Sequence, residues 1–385
     1  MNDTTHEVAV LGLGGMGSAA LAELSRRGID VVGVDRWRPP HDHGSSHGQS
    51  RIFRVAYFEH PDYVPLARRS GILWRELDGR HRERVFIETG GAWMGDRNSE
   101  IVSGSLRAAV EHGLEHELLD PDEVRRRWPA FRPPADSSCF YEKDTGLVCP
   151  EHAITVMLRE ARRTGATIRC GERVIDLDVN ETRVRIRTSE GEILARRAIV
   201  AAGSWTNELV GCAGIDLQPT RQLLGWTAPV DPEPLREGRM PIWAFTDDEQ
   251  MFQYGFPICE GLPGPSGPKI ARHHDGAPVK PDTVEREIGA KDEEHLVAGL
   301  EDRIPAAHGR VIEAKVCLYT LSTDRHFLID HHPAHRNVVI ACGFSGHGFK
   351  FCPVLGEALA DLVMEGGSDL PVGFLSSARM GSNRG

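Results

Sequence analysis

Residues 7–11 (EVAVL) form a short, largely apolar run bounded by glycine, the pattern of a buried parallel strand. The turn Gly12-Leu13-Gly14-Gly15-Met16-Gly17 follows at once, and residues 18–27 have the composition of a helix, with Gly28 as its stop signal. A second apolar run, residues 29–34, ends at Asp35 and completes one βαβ unit. The next clear signal is a helix-like segment over 151–165. Residues 173–179 and 183–188 then alternate like the strands of a meander. Residues 198–202 (AIVAA) read as another buried strand running into Gly203-Ser204. The pattern returns at 337–341 (NVVIA), followed by a glycine-rich turn and an apolar helix over 354–364.

Three strand–glycine turns so far apart imply an α/β protein whose Rossmann-like, dinucleotide-binding domain is built from discontinuous pieces. We assign it residues 1–80, 145–225 and 311–385. Residues 81–144 and 226–310 carry Trp93, Trp128 and Trp243 and most of the proline-rich loops. They predict a second, mixed-sheet domain lying over the cofactor and taking the substrate. No internal repeat interrupts this plan, and residues 261–268 are a single loop rich in proline and glycine.

Charge narrows the classes of function. A net charge of −11 over 385 residues, with no dense basic run, lacks the field that nucleic acid requires. No apolar stretch approaches the ~20 residues of a membrane span. The apolar start at 8–21 follows Asp3 and Glu7 and holds four glycines, so it does not read as a signal peptide. Eight cysteines are scattered without a CxxC pair, which points to reduced thiols and a cytoplasmic chain.

In Gly12-x-Gly14-x-x-Gly17, the first glycine permits the tight turn and the second lets a pyrophosphate approach the backbone. The third permits close helix–strand packing, and the helix N-terminus faces the phosphates. Asp35, at the end of the second strand, would accept from the adenosine ribose. This motif alone does not separate NAD from FAD.

Other stretches do. Gly44-Ser45-Ser46-His47-Gly48-Gln49-Ser50-Arg51-Ile52-Phe53-Arg54 resembles the flavin-facing loop of the monomeric sarcosine oxidase and N-methyl amino acid oxidase family, flavoenzymes of the D-amino acid oxidase superfamily. Residues 314–320 (AKVCLYT) resemble that family's covalent-flavin segment. Residues 324–330 (DRHFLID) and 343–351 (GFSGHGFKF) extend the similarity over nearly the whole chain.

The resemblance implies FAD joined through the Cys317 sulfur to the flavin 8α-methyl, with Ser45, Gly346, Gly348 and Lys350 also beside the cofactor. It implies that Arg54 and Lys350 clamp the carboxylate of a secondary amino acid, chemistry suited to a planar fork and a point charge. Arg51 would lie over the flavin ring, where positive charge favours the anionic reduced form. Lys269 would activate O2 and His273 would contact the substrate amine, although a shift of one residue would put His274 in its place. An ammonium in a dry pocket offsets the charge of superoxide. Tyr254 and Tyr319 resemble two pocket tyrosines, and each also reads as a core aromatic.

The expected reaction is oxidation of a secondary amino acid to an imine, with electrons passed to O2 to give hydrogen peroxide. An N-methyl substrate would then release formaldehyde and the primary amino acid. Partners are thus a small secondary amino acid and O2, and the resemblance implies a monomer. N-methyltryptophan and proline- or pipecolate-type imino acids fit the same carboxylate logic. A flavin dehydrogenase or flavin-binding protein with poor O2 reactivity is the alternative from another class, and an NAD-dependent dehydrogenase would rest on the glycine motif alone. The clusters His41, His43, His47 and His331, His332, His335 sit in solvent loops, and no metal is expected.

Overall fold

Every side chain from Val8 to Leu11 is fully buried, which drives Thr5–Leu11 to the centre of a sheet. In the computed structural model, which describes residues 5–211, 215–247, 252–274 and 276–381, that strand pairs in parallel with Val31–Asp35 and with Gly191–Val200. Thr167–Cys170 extends the sheet beyond Val31–Asp35, and His335–Cys342 runs parallel to Gly191–Val200. Val174–Asn180 and Arg183–Thr188 complete an antiparallel meander on the same sheet. Helices Gly15–Arg26, Pro150–Arg163 and Cys352–Glu365 pack together beside it. A Cβ on Gly356 would come within 2.9 Å of the Ala19 backbone, so these helices meet where neither has bulk.

The first helix starts at Gly15, three residues before the composition predicts. Glycine is a poor helix former. Here the turn needs it: a Cβ on Gly17 would overlap the carbonyl oxygen of Gly12.

A second sheet of eight strands is ordered Val311–Leu321, Gln218–Thr227, Lys269–Arg272, Phe252–Phe256, Ile242–Thr246, Gly91–Gly95, Ser138–Glu142 and Glu117–Leu119. Only Ile242–Thr246 beside Gly91–Gly95 is parallel, so the sheet is mixed. Gln218–Thr227 and Val311–Leu321 lie in segments that the sequence reading gives mainly to the cofactor-binding part. They pair with each other along their whole length within the second sheet. A strand's own periodicity does not name its partner, and this long ladder carries both across together. A third, small sheet is made of Arg51–Phe53, Gly146–Val148 and Phe86–Glu88. Cys212 and Asp275 lie outside the described residues.

Candidate active site

A cleft of about 1430 Å³ runs along the ends of the parallel strands. Gly12, Gly14, Gly15, Asp35 and Trp37 line it, together with Arg51, Tyr319, Gly346 and Phe349. Gly12 adopts φ 89°, and a Cβ there would stand 2.6 Å from the Ala201 oxygen. Gly14 caps the helix, and a Cβ on it would meet nothing nearer than Ser46 Oγ at 3.7 Å, so it would project into open space. Asp35 is buried and accepts the Leu13 amide at 2.7 Å and the Trp37 amide at 2.8 Å. It therefore braces the glycine turn and still keeps lone pairs for a ribose.

Gly44, Ser45, Ser46 and Arg51 of the loop over 44–51 line this cleft, and Arg51 also lines a second cavity. Ser46 Oγ accepts the Gly15 amide at 3.2 Å. Ser45 lines the cleft, and its carbonyl accepts from Arg51 Nη2 at 2.7 Å. The same Nη2 lies 3.5 Å from Cys317 Sγ, so a guanidinium sits directly against the sulfur. Cys317 is 1% exposed, whereas the attachment chemistry calls for an accessible thiol, and its neighbours Leu318, Tyr319 and Thr320 line the cleft. Behind the loop, Lys269 Nζ donates to the Gly48 and Ser50 carbonyls, each at 2.6 Å, and to Ser50 Oγ at 3.3 Å. Phe256 and Trp226 flank it at 4.8 and 5.8 Å. Burial and the nearby Arg51 guanidinium pull its pKa well below the ordinary lysine value. Lys269 lines neither the cleft nor the second cavity.

The second cavity, of about 560 Å³, shares Arg51, Tyr319, Gly346 and Phe349 with the cleft. Arg54 and Lys350 enter it as buried cations. Arg54 stacks 4.0 Å over both Tyr57 and Phe58, and Nη2 meets both carboxylate oxygens of Glu59. Lys350 Nζ donates to the His347 carbonyl at 2.8 Å and to Tyr57 Oη at 3.5 Å. Burial, with Arg54 close by, lowers the Lys350 pKa well below its usual range. His273 also faces the cavity, and its Nδ1 lies 3.2 Å from Tyr319 Oη. Burial and then His274 hold the His273 ring well below the ordinary histidine pKa, so it stays neutral. His274 packs against it, the ring centroids 3.8 Å apart and the planes tilted by 57°, and lines neither site. Tyr254 lies beside Tyr319; burial first, then this neighbour and its hydrogen bond, push the Tyr319 phenol far up. Ile52, Phe58, Trp93, Ile101 and Phe252 give the rest of the cavity an apolar wall.

Arg51, Arg54, Lys350, Tyr254, Tyr319 and His273 thus converge, Gly12, Gly14, Asp35, Ser45, Gly346 and Gly348 line the cleft, and Gly17 packs behind it. Lys269 and Cys317 stand one layer back. Among the described residues no group of three or more metal-ligating side chains forms. The sequence reading misses Glu59, which a carboxylate five residues beyond Arg54 in the same loop signals. It also misses Tyr57 and His347, whose roles appear only once the chain folds.

The family model described as FAD-dependent oxidoreductase matches residues 7–362. A monomeric sarcosine oxidase of Streptomyces avermitilis is 39% identical over 98% of this chain and 98% of its own length. An N-methyl-L-tryptophan oxidase of Salmonella enteritidis is 32% identical over 93% of this chain and 95% of its own. The open form of NikD, an amino acid oxidase of nikkomycin biosynthesis, superposes with a TM-score of 0.84 at 23% identity over 97% of both chains, a likeness of fold.

Proposed function

Since the chain belongs to the family of FAD-dependent oxidoreductases, we propose that it is an oxidase of N-methyl or related secondary amino acids. The observation that carries this reading is the placing of two buried cations, Arg54 and Lys350, in a cavity that shares a wall with the dinucleotide cleft.

The residues present fit FAD. Gly14 leaves open space above a helix N-terminus where a side chain would intrude, and Asp35 closes the adenosine end. When bound, FAD supplies the two-electron acceptor that protein side chains lack. In this reading the first sheet and its helices form the cofactor-binding domain, and the second sheet forms the substrate domain.

Arg54 and Lys350 bind the carboxylate, which fixes the substrate's amine end toward the shared wall of Arg51 and Tyr319. Neutral His273, beside Tyr319, faces the unprotonated substrate amine and offers it a hydrogen-bond partner. Tyr254 and the apolar wall exclude water from the reacting carbon. Arg51 places its charge against Cys317, our proposed point of covalent attachment. Lys269 lies behind the loop that bears Arg51, and we assign it the electrostatic work of admitting O2, which takes the two electrons and two protons lost by the amino acid as it becomes an imine and leaves as hydrogen peroxide. The loop must shift, or a water must bridge, for that charge to reach the gas. We take the chain to act as a monomer in the cytoplasm.

The test is a panel of sarcosine, N-methyl-L-tryptophan, proline and pipecolate with peroxide detection, beside intact-mass analysis of the native protein. Peroxide from at least one substrate, and a mass raised by one FAD, are the expected results. No peroxide across the panel overturns the oxidase reading, and bare polypeptide mass overturns the attachment.

A further inference from the structure

The protein holds Lys350 at both its backbone and its ammonium. Its main-chain carbonyl accepts from Trp74 Nε1 at 2.8 Å and from the Ser70 hydroxyl. Two of its three N–H groups are directed to the His347 carbonyl and Tyr57 Oη. The third has no protein acceptor among the described residues, and Lys350 lines the cavity.

Tyr57 is fully buried and does not line that cavity. Its hydroxyl lies 2.5 Å from His347 Nδ1, and His347 Nε2 lies 3.0 Å from the Arg325 carbonyl. A carbonyl only accepts, so Nε2 carries the proton and Nδ1 is left as an acceptor. Tyr57 must then donate its hydrogen to Nδ1. Its lone pairs are left for Lys350. The Arg325 carbonyl is presented by a left-handed backbone, φ 63°, in the turn before Phe327. A main-chain carbonyl thus sets a tautomer, the tautomer sets a hydroxyl, and the hydroxyl aims an ammonium.

Resting on the proposed reading of the cavity, we infer that Tyr57 and His347 are positioning residues that act through Lys350, so that its free N–H points at the substrate carboxylate. Tyr57 stays off the cavity, and His347, which lines it, acts on the clamp through Tyr57. Together they align the group that meets the substrate.

The experiment uses the FAD-loaded full chain, its best amino acid substrate, and methoxyacetate, an ether that mimics an N-methyl amino acid but offers no amine to oxidise. Tyr57→Phe should raise KM and the methoxyacetate Kd about tenfold, the scale of one hydrogen bond to a charge, while kcat falls less than about threefold. His347→Leu should do the same, and His347→Asn, which keeps an acceptor near Nδ1, should recover most of the loss. In a Lys350→Met background Tyr57→Phe should add nothing, because the group it aims has gone. Equal losses from Tyr57→Phe with and without Lys350 overturn the inference, as does unchanged methoxyacetate affinity in Tyr57→Phe. If the unsubstituted protein neither oxidises an amino acid nor binds methoxyacetate, the reading of the cavity itself fails, a result distinct from both.

Discussion

The cleft and the cavity share a wall and are built on opposite plans. The glycine turn of the cleft is set by backbone: Gly12 has no room for a Cβ, and Asp35 spends its oxygens on the amides of Leu13 and Trp37. The cavity is made of side chains, and its charges are already engaged by protein, Arg54 with Glu59 and Lys350 with Tyr57 and His347. A backbone site tolerates no added bulk. A side-chain site tolerates substitution but depends on which partner each charge finds.

The largest expected effect follows on the backbone side. Gly17→Val would drive a branched side chain into the Gly12 carbonyl, so the turn or the helix must move. Overpacking of this kind costs about 3 kcal/mol or more. We expect little folded protein and no bound flavin, read from the visible absorbance of the purified chain. A yellow, stable Gly17→Val protein would end the claim that the turn is set by backbone contact.

On the side-chain side the expected loss is smaller and falls on ligand binding. Arg54→Met should lower kcat/KM for an amino acid by about a hundredfold, the scale of a buried charge-assisted contact, with flavin content unchanged. Loss of flavin in parallel would mean that cleft and cavity are one energetic unit.

This contrast explains what was legible in the chain. The glycine turn, its strand and Asp35 lie within about thirty residues of one another, so spacing reveals them. The motif around Lys350 was equally visible, but the tie from His347 to Arg325 and Tyr57 joins positions more than 20 and nearly 300 residues apart. No local pattern encodes that. Lys269 shows the same limit. Its spacing to His273 marks both as facing one side of a strand, and only the fold reveals that all three Lys269 donors are taken by the Gly48–Ser50 loop.

Acid should separate the two regions further. Burial holds His347 at about 3, below the ordinary value near 6.5. The unfolded chain takes up this proton as pH falls through 6.5, and the folded chain refuses it until about 3. Stability from this group is therefore complete above 6.5 and is lost between 6.5 and 3, by about 1.4 kcal/mol per pH unit. Thermal unfolding from pH 7 to pH 4 should show the decline, and His347→Asn should flatten it by about one proton. An unchanged slope would mean that water already reaches the ring.

The smallest effect probes the pair that most clearly marks the cavity as a side-chain site. Glu59 occupies Arg54 in the protein, and its negative charge rivals a substrate carboxylate. Burial opposes the charged form of Glu59, yet the Arg54 guanidinium keeps its carboxyl below the usual range, so the rivalry persists at neutral pH. Glu59→Gln keeps an acceptor beside Arg54 and removes the charge. Methoxyacetate should then bind about threefold more tightly, a modest gain because the freed guanidinium also loses a partner that held it still. Titration of the flavin spectrum with methoxyacetate measures this. Weaker binding would reverse the assignment and make Glu59 the group that aims Arg54, as Tyr57 aims Lys350, leaving each cation of the clamp under the control of its own neighbour.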